Sequence, residues 1–599
     1  MQKRVADYIA SILVDNGIDT VFTVVGGGAM HLNDAFGGNP QLQVLHNHHE
    51  QACAMGAEGY ARIKEKPAVV CVTTGPGGTN ALTGVLGAYQ DNVPMVVISG
   101  QVRYATTVEN SGLNLRQFGE QEYYITRSVA PMTKFAYMVK DTSEVRYVLE
   151  KALYLATHGR RGPVWIDVPL NIQGAIVETD ELKGFVIPKQ CMDYRPIAEM
   201  ILKKMQQAKA PLILAGASIR RSGAYQVFRE LVDKLQVPVV SPTCVADILP
   251  LTHSLYFQNF GVVGGRTGNF LVQNADVILS LGCRLSLNQI GFNFEAFAPH
   301  AYKIVVDVHS DELKKQTLKI DLPVQADLYP LLQIMNQIVD RPYKPVKHWL
   351  EYAELLKKKF NLMDSVKNNG QGINPYILIR VLMNQLPSNA VVVTGNSSGS
   401  AMALHYGIAK DGQRLFTNRN CGSMGYDLPA ALGAAVARQG MVVCLTGDGS
   451  IQMNLQELQT MVLNKIPVKI MIYNNNGYMG IVRTQTNFFN GRLSGCTPES
   501  GLSCPRWKKI AYAYDIPYIC IENTKELEEK LTGFLNQPGF ALCELIEDSS
   551  QGPAFKTTSK KLDNGEMVSA PLDELSPALD EDEFKKYRYY EKYSTEEQL

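Results

Sequence analysis

The stretch Met441–Tyr478, "MVVCLTGDGSIQMNLQELQTMVLNKIPVKIMIYNNNGY", decides the fold. It opens on a buried-strand pattern, "MVVCLT", that breaks at "GDGS", Gly447–Ser450. A helical pattern, "IQMNLQELQTMVLNK", follows, and a second strand pattern, "PVKIMIY", runs into "NNNGY", Asn474–Tyr478. In adjacent parallel strands Asp448 and Asn475, 27 positions apart, would converge at the carboxyl edge. A carboxylate, an amide oxygen and a backbone carbonyl such as that of Gly477 are hard ligands suited to Mg²⁺, an ion that also takes phosphate oxygens. The glycines let backbone amides approach a diphosphate at the helix start. "GDG" alone is often only a turn, and so is "NNG". At this spacing the two together carry more weight than either.

Outward from this unit, short apolar runs alternate with helical patterns almost everywhere, which predicts parallel sheets covered by helices on both faces. The expected class is α/β with three doubly wound domains, at 1–180, 190–345 and 365–548, and a polar tail at 549–599 ending in a charged helix, "DEDEFKKYRYYEKY". Strands of the middle domain are expected at "PLILAGA", "VPVVSP", "ADVILSLGC" and "KIVVDV". The first and third segments resemble each other: "VVCVT" (Val69–Thr73) lies over "VVCLT" (Val442–Thr446) at an offset of 373, and Pro94 meets Pro467 at the same offset. Two similar α/β domains can form a site between them at the carboxyl ends of their strands.

The 58 basic and 58 acidic residues cancel, so charge gives no argument for nucleic acid or an anionic membrane. Eleven cysteines are scattered without a C-x-x-C pair and read as small buried hydrophobes of a reducing compartment. "MQKRVADYIASILVDNG" reads as an amphipathic helix rather than a signal peptide, and no apolar run reaches the roughly 18 residues of a membrane span. A soluble cytoplasmic protein is the expectation. "LHNHHEQACAMG" (Leu45–Gly56) begins like the zinc motif H-E-x-x-H at His49-Glu50, but the second histidine position is Cys53, so the motif fails.

The pair GDG and NN resembles the motif of thiamine-diphosphate (ThDP) enzymes, and the resemblance covers nearly the whole chain. It is nearest to the large-subunit family of acetolactate (acetohydroxyacid) synthase. The matching pieces, in the family's order, are "HHEQACAMGAEGYAR", "TGPGGTNALTGVLGAYQDNVPMVVISGQ", "RGPVWIDVPLNIQ", "GSMGYDLPAALGAA", "GDGSIQMNLQELQT" and "PVKIMIYNNNGY". The resemblance implies a pyrimidine-binding first domain, a diphosphate-binding third domain, and ThDP with Mg²⁺ as cofactors. It implies decarboxylation of pyruvate or another 2-keto acid, with transfer of the two-carbon unit to an acceptor carbonyl. It also implies a homodimer or homotetramer with active sites between subunits.

Residue by residue, the resemblance places Glu50 as the proton relay to the cofactor's aminopyrimidine, and Gln121 on the substrate side. Val25 and Gly26 of "VVGGGA" back the pyrimidine, and Asn80 closes "GPGGTN". Met424 of "GSMGYDLP", next to Ser423, wedges the cofactor into its bent form. Gly395, Asn396 and Ser397 form a second diphosphate loop, where the family carries Gln-His. Gly447, Asp448, Gly449 and Ser450, with Asn475, Gly477, Tyr478 and Met479, hold the diphosphate and the metal; Asp448, Asn475 and Gly477 are the metal ligands. His46, His48 and His49 are assigned no metal.

Three departures matter. The family's Gln-Trp-Gln is "QTN" (Gln485–Asn487), its "PKD" lysine is Leu170, and its "GARFDDR" is "GCRLSLNQ", which keeps only Arg284. The last leaves FAD open as a cofactor. The stretch "NNNGYMGIVRTQTNFFNGRLSG…SGLSCP" and the long tail resemble the acetolactate-synthase-like proteins of bacterial surface-polysaccharide clusters, some of which move a two-carbon unit from pyruvate onto a keto-sugar nucleotide. Simple 2-keto acid decarboxylation is a further alternative. From another class, the chain could be a non-catalytic regulatory or assembly subunit, a reading disfavoured by the presence of both Glu50 and Asp448.

Overall fold

The computed structural model describes all residues except 190–191, 367, 369–370, 562–563, 565–566 and 590–599. Its frame is three six-stranded sheets, and every ladder within them is parallel. The first holds β1 (Thr20–Thr23), β2 (Gln43–His46), β3 (Val69–Val72), β4 (Met95–Gln101), β5 (Ala136–Met138) and β6 (Pro163–Pro169), in the order β2-β1-β3-β4-β6-β5. The second holds β7 (Pro211–Ala215), β8 (Val239–Pro242), β9 (Tyr256–Phe260), β10 (Val277–Leu281), β11 (Tyr302–Asp307) and β12 (Leu322–Gln325). Their order, β9-β8-β7-β10-β11-β12, is that of a dinucleotide-type doubly wound sheet. The third holds β13 (Val391–Thr394), β14 (Arg414–Phe416), β15 (Val442–Gly447), β16 (Val468–Asn474), β17 (Tyr518–Ile521) and β18 (Ala541–Ile546), in the order β14-β13-β15-β16-β18-β17.

The first and third orders are the same permutation. The two segments matched by the 373-residue offset, β3 and β15, occupy the same place in it. Both are apolar and buried along their whole length, as a strand covered on both faces must be.

Helix packing joins these two sheets. Helix α1 (Glu50–Lys64) crosses α3 (Asp427–Ala437), "DLPAALGAAVA", through small residues. A Cβ on Gly59 would stand 2.1 Å from the Ala430 carbonyl oxygen, and one on Gly433 would stand 1.9 Å from that of Gly56. Backbone therefore meets backbone, and one hydrophobic core runs from Val70, Val97 and Trp165 to Val393, Val442 and Ile470.

Several local expectations are corrected. The segment after GDGS starts as a 3₁₀ turn, Ile451–Asn454, and the α-helix, α4, covers only Glu457–Leu463. Its polar groups turn inward: Asn454 donates to the Gly425 carbonyl and to Gln51. The N-terminal segment begins as a strand, Gln2–Arg4, paired antiparallel with Ile176–Glu178, before the helix Val5–Asp15. The middle sheet has two edge strands beyond the four anticipated, β9 and β12. "YFQNF" lacks β-branched residues, and "LPVQ" is mostly open to solvent, so neither shows a strand pattern.

The tail straps onto the middle unit. Asn269 donates to the Leu572 carbonyl, Arg266 donates to that of Pro577, and Tyr589 packs edge-on against Trp349. Its charged helix is shorter than expected, Glu581–Lys586, and Tyr590–Tyr593 lie outside the described residues. No helix among the described residues is long and apolar enough to cross a membrane.

Replacing Gly433 by Val is expected to force α1 and α3 apart. Thermal unfolding followed by circular dichroism should then show a lowered midpoint, with a loss of about 1–3 kcal/mol as for overpacked cores. An unchanged midpoint would show that the crossing tolerates a side chain.

Candidate active site

At the carboxyl edge of the third sheet, β15 and β16 end side by side, with Gly447 in register with Tyr473. Asp448 follows β15 and is 2 % exposed. Its Oδ1 accepts from the Gly449 amide at 2.8 Å, and its Oδ2 accepts from the amides of Asn475 at 3.1 Å and Gly477 at 3.2 Å. Burial pushes the Asp448 carboxyl up from its usual range, while these amide bonds pull it down. Asp448 and Asn475 do converge, as the spacing predicts.

The Asn475 side chain donates to Glu547, and its Oδ1 is buried without a hydrogen-bond partner. An orphaned amide oxygen beside a buried carboxylate fits a cation-binding site.

A cavity of about 310 Å³ opens over these groups. It is lined by Gly447–Ser450, Asn475, Gly477–Ile481, Met424, Asn396–Ser398, Ala401, Arg419, Arg483 and Pro553. Two close approaches shape it. A Cβ on Gly449 would stand 2.1 Å from the Tyr478 ring, and Gly477 holds φ +157° with a Cβ position 2.1 Å from the Cys496 carbonyl oxygen. Met424 reaches this wall, its Cε 3.4 Å from the Cβ position of Gly449.

Other expected cofactor groups also serve the fold, and Asn396, Ser397 and Ser450 do so from the cavity wall. The Ser450 hydroxyl donates to Asp427 and accepts from the Gly425 amide. Asp427 is fully buried, and its carboxyl is pushed up to about 6 by burial. Ser397 caps helix α2 (Ser398–Tyr406) by accepting from the Ser400 amide, and Asn396 donates to the Gly422 carbonyl. Gly395 packs on Asp427, whose Oδ2 would lie 2.2 Å from a Cβ there. Ser423 accepts from Asn418 and does not line the cavity.

The first-sheet residues gather at the corresponding edge of their own sheet. Glu50 begins α1 and is 8 % exposed, with Oε2 accepting from Asn80 at 3.0 Å. A Cβ on Gly77 would stand 3.7 Å from its Oε1. His49 caps α1 through Nδ1, which accepts from the Gln51 amide. Gly26 packs against Thr73, and Gln121, exposed and at φ +60°, sits with its carbonyl against Gly75. Val25 is 58 % exposed.

None of these first-sheet residues lines the 310 Å³ cavity. Within one chain the candidate site is therefore two half-sites. They are linked through Asn47 and the His48 amide, which donate to the buried carboxylate of Glu457 on α4 at 2.8 and 3.0 Å.

Three regions of the chain match models of thiamine pyrophosphate enzymes: residues 3–121 the N-terminal TPP binding domain, 198–335 the central domain, and 394–545 the C-terminal TPP binding domain. The chain belongs to the thiamine pyrophosphate enzymes. It is 30% identical to the acetolactate synthase large subunit of Lactococcus lactis, over 87% of this chain and 89% of that one. Identity is 31% to the acetolactate synthase isozyme 3 large subunit of Escherichia coli, over 89% and 92% of the two chains. It is 29% to the chloroplastic acetolactate synthase of Arabidopsis thaliana, over 91% and 81%.

For a thiamine pyrophosphate enzyme, the cavity's glycine-walled floor, its amides and Met424 fit the diphosphate half of the cofactor. Ser398 closes the second diphosphate loop, "GNSS", whereas Arg419, Arg483, Pro553 and Glu547 were not singled out from the sequence. The only available signal was for Glu547, an acidic residue at the end of the buried strand "ALCELI".

Gly449→Ala is expected to push the Tyr478 ring out of place. Calorimetric titration with ThDP should show affinity reduced about tenfold, equivalent to about 1.4 kcal/mol. Unchanged affinity would remove the Gly449–Tyr478 contact from the cofactor site.

Proposed function

We propose that this thiamine pyrophosphate enzyme decarboxylates pyruvate or a similar 2-keto acid and transfers the two-carbon unit to an acceptor carbonyl. The observation that carries this is the pairing of Asp448 and the orphaned Asn475 oxygen with a Met424-walled cavity, in a chain about 30% identical to acetolactate synthases. Asp448, Asn475 and the Gly477 carbonyl would hold Mg²⁺. Bound ThDP supplies a nucleophilic carbon and an electron sink. Glu50 would exchange a proton with the cofactor's pyrimidine ring, oriented by the Asn80 bond to its Oε2. Tyr478, Met479 and Ile481 supply the wall that excludes water from the reacting carbons.

Because no first-sheet residue lines the diphosphate cavity, the reading calls for a second copy of the chain. That copy would bring its own Glu50 and its exposed Val25 and Met30 over the open side.

Two departures favour an acceptor that is larger than a second keto acid and has no carboxylate beside its reacting carbonyl, such as a keto-sugar nucleotide. Leu170, half-buried after β6, offers no cation to a carboxylate. Gln485 is committed to both backbone groups of Ser494, and no tryptophan follows it.

A flavin dinucleotide would use a separate cavity of about 330 Å³ between the first and middle sheets. There the Arg221 guanidinium lines the wall, makes no hydrogen bond or ion pair among the described residues, and is lowered to about 10 by burial and by Arg62. A yellow purified protein supports flavin in that cavity, and a colourless one removes it.

Incubation with pyruvate, ThDP and Mg²⁺ is expected to release carbon dioxide, and failure with every 2-keto acid would sink the proposal. Mass spectrometry of products with and without keto-sugar acceptors separates the transfer readings from simple decarboxylation. Glu50→Gln should keep cofactor binding and lose about 10²–10⁴-fold in turnover, the range of general acid–base catalysis. Asp448→Ala should lose Mg²⁺-dependent ThDP binding. Refolding these two inactive variants together should restore part of the activity, because a mixed dimer keeps one intact site; no recovery would refute a site shared between copies.

A further inference from the structure

Glu547 belongs to no motif that the sequence singles out. It stands one residue past β18, its amide bonded to the Asn474 carbonyl at 3.0 Å, and it is 7 % exposed. Its carboxylate faces two side chains. Oε2 accepts from Asn475 Nδ2 at 2.7 Å, and Oε1 accepts from the Ser398 hydroxyl at 2.6 Å. Asn475 Nδ2 also reaches Ser398 Oγ at 3.3 Å, which closes a triangle. Asn475 and Ser398 line the cofactor cavity, whereas Glu547 does not.

An asparagine amide has a donor end and an acceptor end of nearly the same shape. Only the acceptor end can serve a cation. At Asn475 the backbone amide holds the loop on Asp448 and Oδ1 has no partner; Ser398 Oγ also accepts from Nδ2, but a hydroxyl could equally donate to an oxygen there, so the carboxylate is the group that decides. A carboxylate accepts and never donates when ionised, so Glu547 fixes Nδ2 on its own side and turns Oδ1 to the other.

We propose that Glu547 is a positioning residue for the metal site: it sets the Asn475 amide with its oxygen toward the cation, and through Ser398 it ties the second diphosphate loop to the metal loop. This rests on the assignment of Asp448 and Asn475 as metal ligands. It deepens that assignment by naming the group that makes Asn475 competent. Residues that orient a ligand from behind typically change metal affinity 10–100-fold when removed.

The test is Mg²⁺ titration of ThDP binding, read by intrinsic tryptophan fluorescence, with the melting temperature of each metal-free variant recorded alongside. Glu547→Ala is expected to raise the Mg²⁺ requirement about tenfold or more. Glu547→Gln should stay near the parent, because its carbonyl oxygen still accepts from Asn475 while its amide donates to Ser398. The double variant Glu547→Ala/Asn475→Asp should regain Mg²⁺ binding, because a carboxylate presents oxygen in either orientation. Glu547→Leu fills the same volume without an acceptor and replaces the alanine variant where that one does not fold.

Parental affinity in Glu547→Ala or Glu547→Leu overturns the proposal. So does an equal loss in the alanine and glutamine variants, or no recovery in the double variant. A parent protein that binds ThDP without any Mg²⁺ dependence overturns instead the metal assignment beneath it.

Discussion

The crossing of α1 and α3 is the constraint from which the rest of the geometry follows. Gly56, Gly59 and Gly433 leave no side chain between two helix backbones, so the first and third units are fused into one core. Each unit is a parallel sheet, and a parallel sheet presents all its carboxyl ends along one edge. Fixing helix on helix therefore fixes how those two edges stand to each other. Glu457 adds a polar clamp: it is fully buried on α4 and accepts from Asn47 Nδ2, the His48 amide and Thr460 Oγ1. Glu50 thus begins its helix from a segment that the third unit holds in place.

At the edge of the third sheet, buried acid gathers. Asp427, Asp448 and Glu547 are each pushed up by burial, and hydrogen bonds oppose that push at all three. Asp448 spends both oxygens on backbone amides, and Glu547 spends both on side chains. Arg419 and Arg483 line the cavity. Arg483 is anchored to the Ser549 and Gln551 carbonyls, which brings the start of the tail into the cavity wall beside Pro553. A site with several buried carboxylates and an orphaned amide oxygen gains most from a bound divalent cation.

The sheets were legible because their central strands are continuous β-branched runs, and the duplication because β3 and β15 keep those runs at one offset. Edge strands β9 and β12 were not, since neither "YFQNF" nor "LPVQ" carries a strand pattern. The meeting of Asp448 and Asn475 was legible because it needs only adjacency of two strands. The fates of Ser397, Ser423 and Ser450 were not. A serine in a glycine-rich loop has the same letter whether or not it also caps a helix or bonds a buried acid, and Ser397 and Ser450 do this while lining the cavity. The histidines of the failed zinc motif, assigned no metal from the sequence, have roles it could not show: His49 is a helix cap, and His48 contributes its backbone amide.

Both cavities mix the two signs: Asp448 with Arg419 and Arg483 in one, and four arginines with Asp307, Glu312 and Asp327 in the other, so unpaired groups distinguish them where net charge and volume do not. The cavity over Asp448 sets that one buried carboxylate and the partnerless Asn475 oxygen against Arg419 and Arg483. The cavity between the first and middle sheets is walled by Arg160, Arg161, Arg221 and Arg284. Glu312 answers Arg160 at 3.1 Å and Arg284 at 3.5 Å, and Lys315 draws on the same carboxylate at 2.6 Å. Arg221 is left with no such partner among the described residues and is destabilised by burial and by Arg62. A half-buried guanidinium in that position favours an anion that brings its own charge, and the doubly wound order β9-β8-β7-β10-β11-β12 puts the opening at the strand-order reversal between β7 and β10. Of the family's "GARFDDR", the chain's "GCRLSLNQ" keeps Arg284, and that arginine stands in the wall of this cavity with Glu312 as its counter-charge.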